Sequence, residues 1–375
     1  MSKDIQGLIV LTFLGWYPGS GIMRQKAHLI VMDIFTDEII QKAFEKVCHR
    51  RKEYGPNSDI WDLRHNWDTR KPAILDGLND GAYKFDPVRE LLIDGEIYEI
   101  WAAEDAVVIE ALTMLLKDHY KITEDCDSYH LKGRGGIKAA LNQVEDNLDR
   151  NKFVMKSDVK KYYASMDHDV LMDLIREYVT DSSVTQLIYQ FLKRVKYRDG
   201  YYLNLSRGIC RGTAFSPLLG ALYLKELDTA IGKMNVTYVR FMDDWVVMST
   251  NKWTFRRAIK KVNMLLNDLK LEKAYDKTFI GKIDRGFDFL GFRFSREGRC
   301  LAEKTVRKFA DNIVQKLETC KTEDTGKITP VIPVGKRRSG SAFGTWRFQD
   351  KNEKGDLPVP ETVSAYIRRW FIWVK

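Results

Sequence analysis

The stretch VTYVRFMDDWVVMST, residues 236–250, sets two adjacent aspartates between two runs of β-branched and aromatic residues, the most strand-like sequence in the chain. Neighbouring side chains on a strand point to opposite faces, so Asp243 and Asp244 can serve one ligand only where the chain turns. The pair therefore predicts a hairpin tip. Two crowded carboxylates are costly unless a cation sits between them, and a divalent ion is the usual solution. Taken alone, two aspartates in a turn are also what an ordinary solvated turn contains. A third acid changes the weighing: in FVMKSDVKKYYASMD, Asp158 ends the apolar strand-like run Phe153, Val154 and Met155. Two strands presenting acids at one edge of a sheet offer the oxygens that magnesium prefers and leave room for substrate phosphates.

At 375 residues the chain suits two or three subdomains rather than one minimal core. Lysine and arginine outnumber aspartate and glutamate by 61 to 52, and a net charge of +9 favours a polyanionic partner without requiring one. The five cysteines are scattered and contain no C-x-x-C pair, which argues against a disulfide framework or a zinc site and fits a reducing cytoplasm. The segment IQGLIVLTFLGWYPG has the apolarity of a signal-peptide core but no A-x-A-like cleavage site, and it is too short to span a bilayer, so no membrane partner is expected.

Along the chain, helical and strand-like patterns interleave, which predicts an α+β fold. Residues 1–31 read as an extension, and DAVVIEALTMLLKDHY reads as an amphipathic helix. The glycine-rich basic loop SYHLKGRGG runs into a helix, and its cations Lys132, Arg134 and Lys138 suit a nucleic-acid backbone, or else a solvated basic turn. After RGICRGTAFSP, read as a loop, LLGALYLKELDTAIGKM reads as one helix; His168 is expected to cap the helix that follows it. Arg256 and Arg257, beside Trp253, make a basic helix suited to gripping a duplex. Residues 321–358, rich in Thr, Gly, Lys and Pro, read as a long loop before a last helix, AYIRRWFIWVK. Trp370 and Trp373 in that helix read as packing residues, and the KRR at 336–338 as part of a solvated loop.

In order, SYHLKGRGGIKAAL, DVKKYYASMDH, RGTAFSPLLG, FMDD, and LEKAYDKTFIG with GFDFLGF resemble the motifs of bacterial retroelement reverse transcriptases, the group of the intron and retron enzymes. The likeness runs from roughly residue 60 to 295. FMDD carries phenylalanine where the family has tyrosine, and Arg211 stands for the glutamine of the family's QGxxxSP loop. The stretch GEIYEIW offers Tyr98 and Glu99 where the family carries an arginine for the triphosphate, leaving Lys84 or Arg89 as substitutes.

The resemblance implies a right-hand polymerase: fingers over 32–150, palm over 151–294, and a short helical thumb over 295–375. It implies RNA-directed DNA synthesis with two Mg2+ ions, or Mn2+, on Asp158 and Asp243, with Asp244 assisting. It assigns Val159, Tyr163 (a gate against ribose 2′-hydroxyls), Arg211, Gly212 and Lys277 to the nucleotide, Lys277 at the leaving pyrophosphate. Expected partners are an RNA template, a DNA or RNA primer and dNTPs, with a dedicated non-coding RNA conceivable and the oligomeric state open. The expected role is a stand-alone enzyme of antiphage defence. Template-independent or protein-primed synthesis, and a maturase or RNA-binding cofactor without catalysis, are the rival readings.

Overall fold

The computed structural model describes residues 10–13, 26–29, 34–93, 96–198, 201–323 and 361–374. Most of the expected extension at 1–31, the KRR segment, and the expected loop beyond residue 323 lie outside the described residues. Helices and sheets interleave in an α+β order. The chain forms two compact units, each discontinuous in sequence: Met1–Leu131 with Val159–Ala230 and Val262–Lys273, and Lys132–Asp158 with Ile231–Lys261 and Ala274–Lys375.

In the first unit the helix Asp37–Arg50 starts at Thr36, whose hydroxyl accepts from the Ile39 amide. It packs on the helix Ala103–Asp118, whose Val107, Val108, Ala111, Leu112 and Leu116 are fully buried. A four-stranded sheet orders Glu96–Ile100, Val88–Ile93, Val195–Arg198 and Tyr201–Asn204, and joins the second and third of these in parallel through Val88–Lys196 and Arg89–Tyr197. The loop-then-helix reading of 207–234 needs correcting. A helix already begins at Phe215, inside the expected loop, and the expected single helix is two, Phe215–Tyr223 and Lys225–Gly232. His168 is not a cap either: Asp167 caps the helix His168–Arg176 by accepting from the Asp169 and Val170 amides. His168 is buried, with Nε2 2.8 Å from the Gly208 carbonyl.

In the second unit a four-stranded antiparallel sheet has the order Phe279–Lys282, Phe153–Ser157, Asp244–Ser249, Thr237–Phe241. Trp245, Val246, Val247 and Met248 are all fully buried, as a continuous apolar run in a central strand should be. The helix Gly136–Glu145 packs on the edge strand Thr237–Phe241. A smaller meander, Phe287–Phe289, Phe292–Ser295 and Gly298–Leu301, turns at Leu290 and Gly291, both left-handed as a two-residue hairpin loop requires. The last helix, Glu361–Val374, stacks Trp370 on Phe309 at 3.9 Å and sets Trp373 against Phe292 at 5.5 Å, so both tryptophans pack. No helix among the described residues is long and apolar enough to cross a membrane.

Candidate active site

Strand register assembles the acids. Phe241 pairs with Asp244, leaving Met242 and Asp243 as a two-residue loop, so the expected hairpin tip is present. Met242 sits at φ 55, the left-handed conformation such a loop demands of its first residue. Arg240, fully buried, donates from Nη1 to the Met242 carbonyl at 2.9 Å and ties the turn down. Ser157 pairs with Trp245, so one step further Asp158 comes abreast of Asp244. On its other side Lys156 pairs with Phe279, and the same register brings Lys277 abreast of Asp158.

The charges then interlock. Lys277 Nζ lies 2.5 Å from Asp158 Oδ2, while its own side chain is 58% exposed. Lys156 Nζ lies 3.0 Å from Asp244 Oδ1, an ion pair by distance but off the direction of a hydrogen bond, and the Lys156 side chain is only 13% exposed. Asp243 has its pKa raised well above the usual carboxylate range, first by burial and then by its contact with Asp158. Asp244 is raised by burial against the pull of Lys156, and Lys277 is raised by its hydrogen bond to Asp158. Asp158 Oδ1 and Asp244 Oδ1 are buried without a hydrogen-bond partner. Native proteins rarely leave such oxygens unsatisfied, and a cation is one way to satisfy them. Among the described residues no three histidine, cysteine, aspartate or glutamate side chains stand arranged to hold a metal as they are. The pair Asp158 and Asp243 with its spare buried oxygen nonetheless fits a divalent ion; the third acid is held by lysine.

A family model described as reverse transcriptase (RNA-dependent DNA polymerase) matches residues 105–294 and takes in all of these residues. The chain belongs to the reverse transcriptase family. It is similar to the group II intron-encoded protein LtrA of Lactococcus lactis, 25% identical over 206 residues, which cover 53% of this chain and 34% of LtrA. It is also similar to protein YkfC of Escherichia coli K12, 25% identical over 278 residues, 62% of this chain and 73% of YkfC. A third relative is a putative COX1/OXI3 intron 2 protein of Saccharomyces cerevisiae, 25% identical over 158 residues, 40% of this chain and 18% of that protein. The chain thus spans about a third of the length of LtrA and most of that of YkfC.

The remaining residues that the reverse transcriptase motifs single out divide between the units. Val159, Tyr163, Arg211 and Gly212 lie in the first unit; Lys132, Arg134, Lys138, Arg256 and Arg257 lie in the second with the acids. Val159 is buried and bridges to Lys273. Tyr163 is half-buried and packs on Gly220, where an added Cβ would come within 3.3 Å of its ring. Arg211 is exposed, and Gly212 takes φ 82 beside it. Lys132, Arg134 and Lys138 are exposed around Gly133, Gly135 and Gly136, all left-handed. Arg257 stacks over the exposed Trp253 at 4.7 Å.

Glu99, in the stretch expected from the resemblance to carry an arginine, is committed to an ion cluster. Arg194 donates to it from Nε at 2.6 Å and Nη2 at 3.0 Å, Lys196 pairs with it, and the Cys210 thiol lies against it. Burial works against its charge, yet these donors bring its pKa down to about 2. Sequence reading passed over Arg194, Lys196, Arg240 and Lys156. For Lys156 a signal existed: it precedes Asp158 by two on a strand, and so shares its face.

Proposed function

We propose that the chain is an RNA-directed DNA polymerase whose chemistry is carried by Asp158, Asp243 and Lys277. The observation that carries this reading is the register that brings Asp158, at the end of one strand, against the Asp243–Asp244 turn of its neighbour. Asp158 and Asp243 would hold the divalent ions, two Mg2+ or Mn2+. When bound, those ions supply charge neutralisation to the transferring phosphoryl group and its leaving pyrophosphate.

The protein's own part is positioning and electrostatics. Arg240 holds the turn that aims Asp243. Lys277, whose side chain is largely exposed, can leave Asp158 for a phosphate oxygen of the leaving group. Tyr163 serves as the gate that excludes a ribose 2′-hydroxyl, with Val159, Arg211 and Gly212 lining the nucleotide. Lys132, Arg134, Lys138, Arg256 and Arg257 take the template–primer backbone, and Trp253 adds a stacking surface. On this reading fingers, palm and thumb follow 32–150, 151–294 and 295–375, and the partners are an RNA template, a primer and dNTPs.

Primer extension on an RNA template with dNTPs tests it. Synthesis by the parent chain and none by the Asp243→Ala, Asp244→Ala double variant is expected; equal synthesis by both would sink the assignment.

One observation favours a second reading. Glu99 lies in the stretch where the resemblance would put a fingers cation and is instead held by Arg194, while Arg211 is exposed beside Gly212; both support a reading in which nucleotide selection is rearranged. Synthesis from one or two dNTPs without added RNA, altered in Arg211→Gln, would favour template-independent extension. For the biological role we propose antiphage defence, which the resemblance to stand-alone bacterial reverse transcriptases suggests. Unchanged phage plaquing in cells carrying the double variant in place of the parent would refute that role.

A further inference from the structure

The two lysines of the acid cluster are not equivalent. Lys277 Nζ meets Asp158 at 2.5 Å from a side chain 58% exposed, so an incoming cation can displace it into water. Lys156 meets Asp244 at 3.0 Å from a side chain only 13% exposed, rising from the middle of a strand paired on both sides. It has nowhere comparable to go. Strand alternation keeps Lys156 on the face of Asp158, and its pairing with Val246 sets it diagonally across from Asp244.

We propose that Lys156 is a resident counter-cation of the acid cluster: a positioning residue that fixes the Asp244 carboxylate and occupies the charge a third ligand would give to metal. This rests on the reading of Asp158 and Asp243 as the metal ligands. The cluster then takes a first divalent ion at Asp158 and Asp243 readily. A second ion binds weakly, because it must share Asp244 with an ammonium that cannot withdraw. Asp244 Oδ1, the oxygen held in that ion pair, is the group that would be released.

Manganese binding to the full chain, followed by the electron paramagnetic resonance signal of free Mn2+, tests this without any turnover. The parent chain should bind one Mn2+ and a second at least ten times more weakly. Lys156→Met should tighten the weaker site about tenfold, the size of effect one neighbouring charge has on a carboxylate's hold on a proton. Lys156→Arg should restore the parent's two affinities, which a purely structural lysine would not require. Should the methionine variant melt early, Lys156→Gln gives the same comparison.

Affinities within twofold of the parent in both neutral variants would overturn the role of Lys156 and leave the metal reading standing. Mn2+ binding that does not respond to Asp158→Asn or Asp243→Asn would overturn the metal reading, and the role of Lys156 with it.

Discussion

Each unit of this member of the reverse transcriptase family holds a buried cluster of acids and cations, and the two are built to opposite ends. Around Glu99, two carboxylates meet two cations: Arg194 and Lys196 on Glu99, and Lys196 on Glu90 at 3.1 Å. Arg194 also donates to the Gly208 carbonyl at 3.0 Å, and Glu99 is driven to the charged form. Around Asp158, three carboxylates meet two lysines, two buried oxygens accept no hydrogen bond, and Asp243 is driven toward the neutral form. A balanced cluster holds strands together. An unbalanced one stores a demand for positive charge, as expected of a site that works on a charged substrate.

The largest effect should come from neutralising the unbalanced cluster. Asp243→Asn or Asp158→Asn should lower nucleotide incorporation by about three orders of magnitude, the several kcal/mol a metal-assisted phosphoryl transfer loses with a ligand. The thermal midpoint of Asp243→Asn should hold or rise, since a crowded carboxylate is removed. A clear drop in that midpoint would show that the acids are structural, and the contrast between the clusters would collapse.

The converse holds for the balanced cluster. Glu99→Ala leaves the Arg194 guanidinium buried without a carboxylate, and should cost about 3–5 kcal/mol in urea unfolding. Activity per folded molecule should change far less than in Asp243→Asn.

That contrast also explains how much could be read in advance. The acids were legible because two local rules point to them: a strand does not carry adjacent aspartates unless it turns, and an apolar run does not end in a lone acid without cause. The Glu99 cluster was not, since Glu99 and Arg194 lie 95 positions apart and meet through a short parallel pairing of Val88–Arg89 with Lys196–Tyr197. No local pattern announces such a pairing. His168 misled because Asp167, directly before it, is the better cap: its carboxylate reaches two amides of the first turn. The break near Leu224 lies inside an unbroken helical pattern, and only tertiary packing reveals it.

pH separates two acids of the first unit. The pKa of Glu99, near 2 against an ordinary 4.5, means its stabilisation is fully present above about 4.5 and lost as pH falls toward 2. Asp105 runs the other way. Burial lifts it from 3.8 to about 7, despite hydrogen bonds from the Tyr83 hydroxyl at 2.8 Å and the Asp86 amide at 3.1 Å. Its contribution is therefore full below 3.8 and lost as pH rises through 7. Urea midpoints measured across this range should show both slopes, the acid one missing in Glu99→Gln and the neutral one missing in Asp105→Asn. A parent-like profile in both variants would remove these groups from the account.

The smallest effect sharpens the picture of the turn itself. Met242 holds φ 55 without being glycine, a conformation that costs an L-residue about 1–2 kcal/mol. In Met242→Gly that cost disappears, while the freer unfolded chain takes back part of the gain. Stability should therefore rise by no more than about 1 kcal/mol. The two effects divide cleanly: relief of strain acts on folding, whereas aim of the Asp243 carboxylate depends on the Arg240 bond to the residue 242 carbonyl, which glycine keeps. Incorporation should stay near the parent's in Met242→Gly and fall in Arg240→Met. If the glycine variant instead loses activity along with Arg240→Met, the Met242 side chain, and not the backbone bond alone, aims the acid.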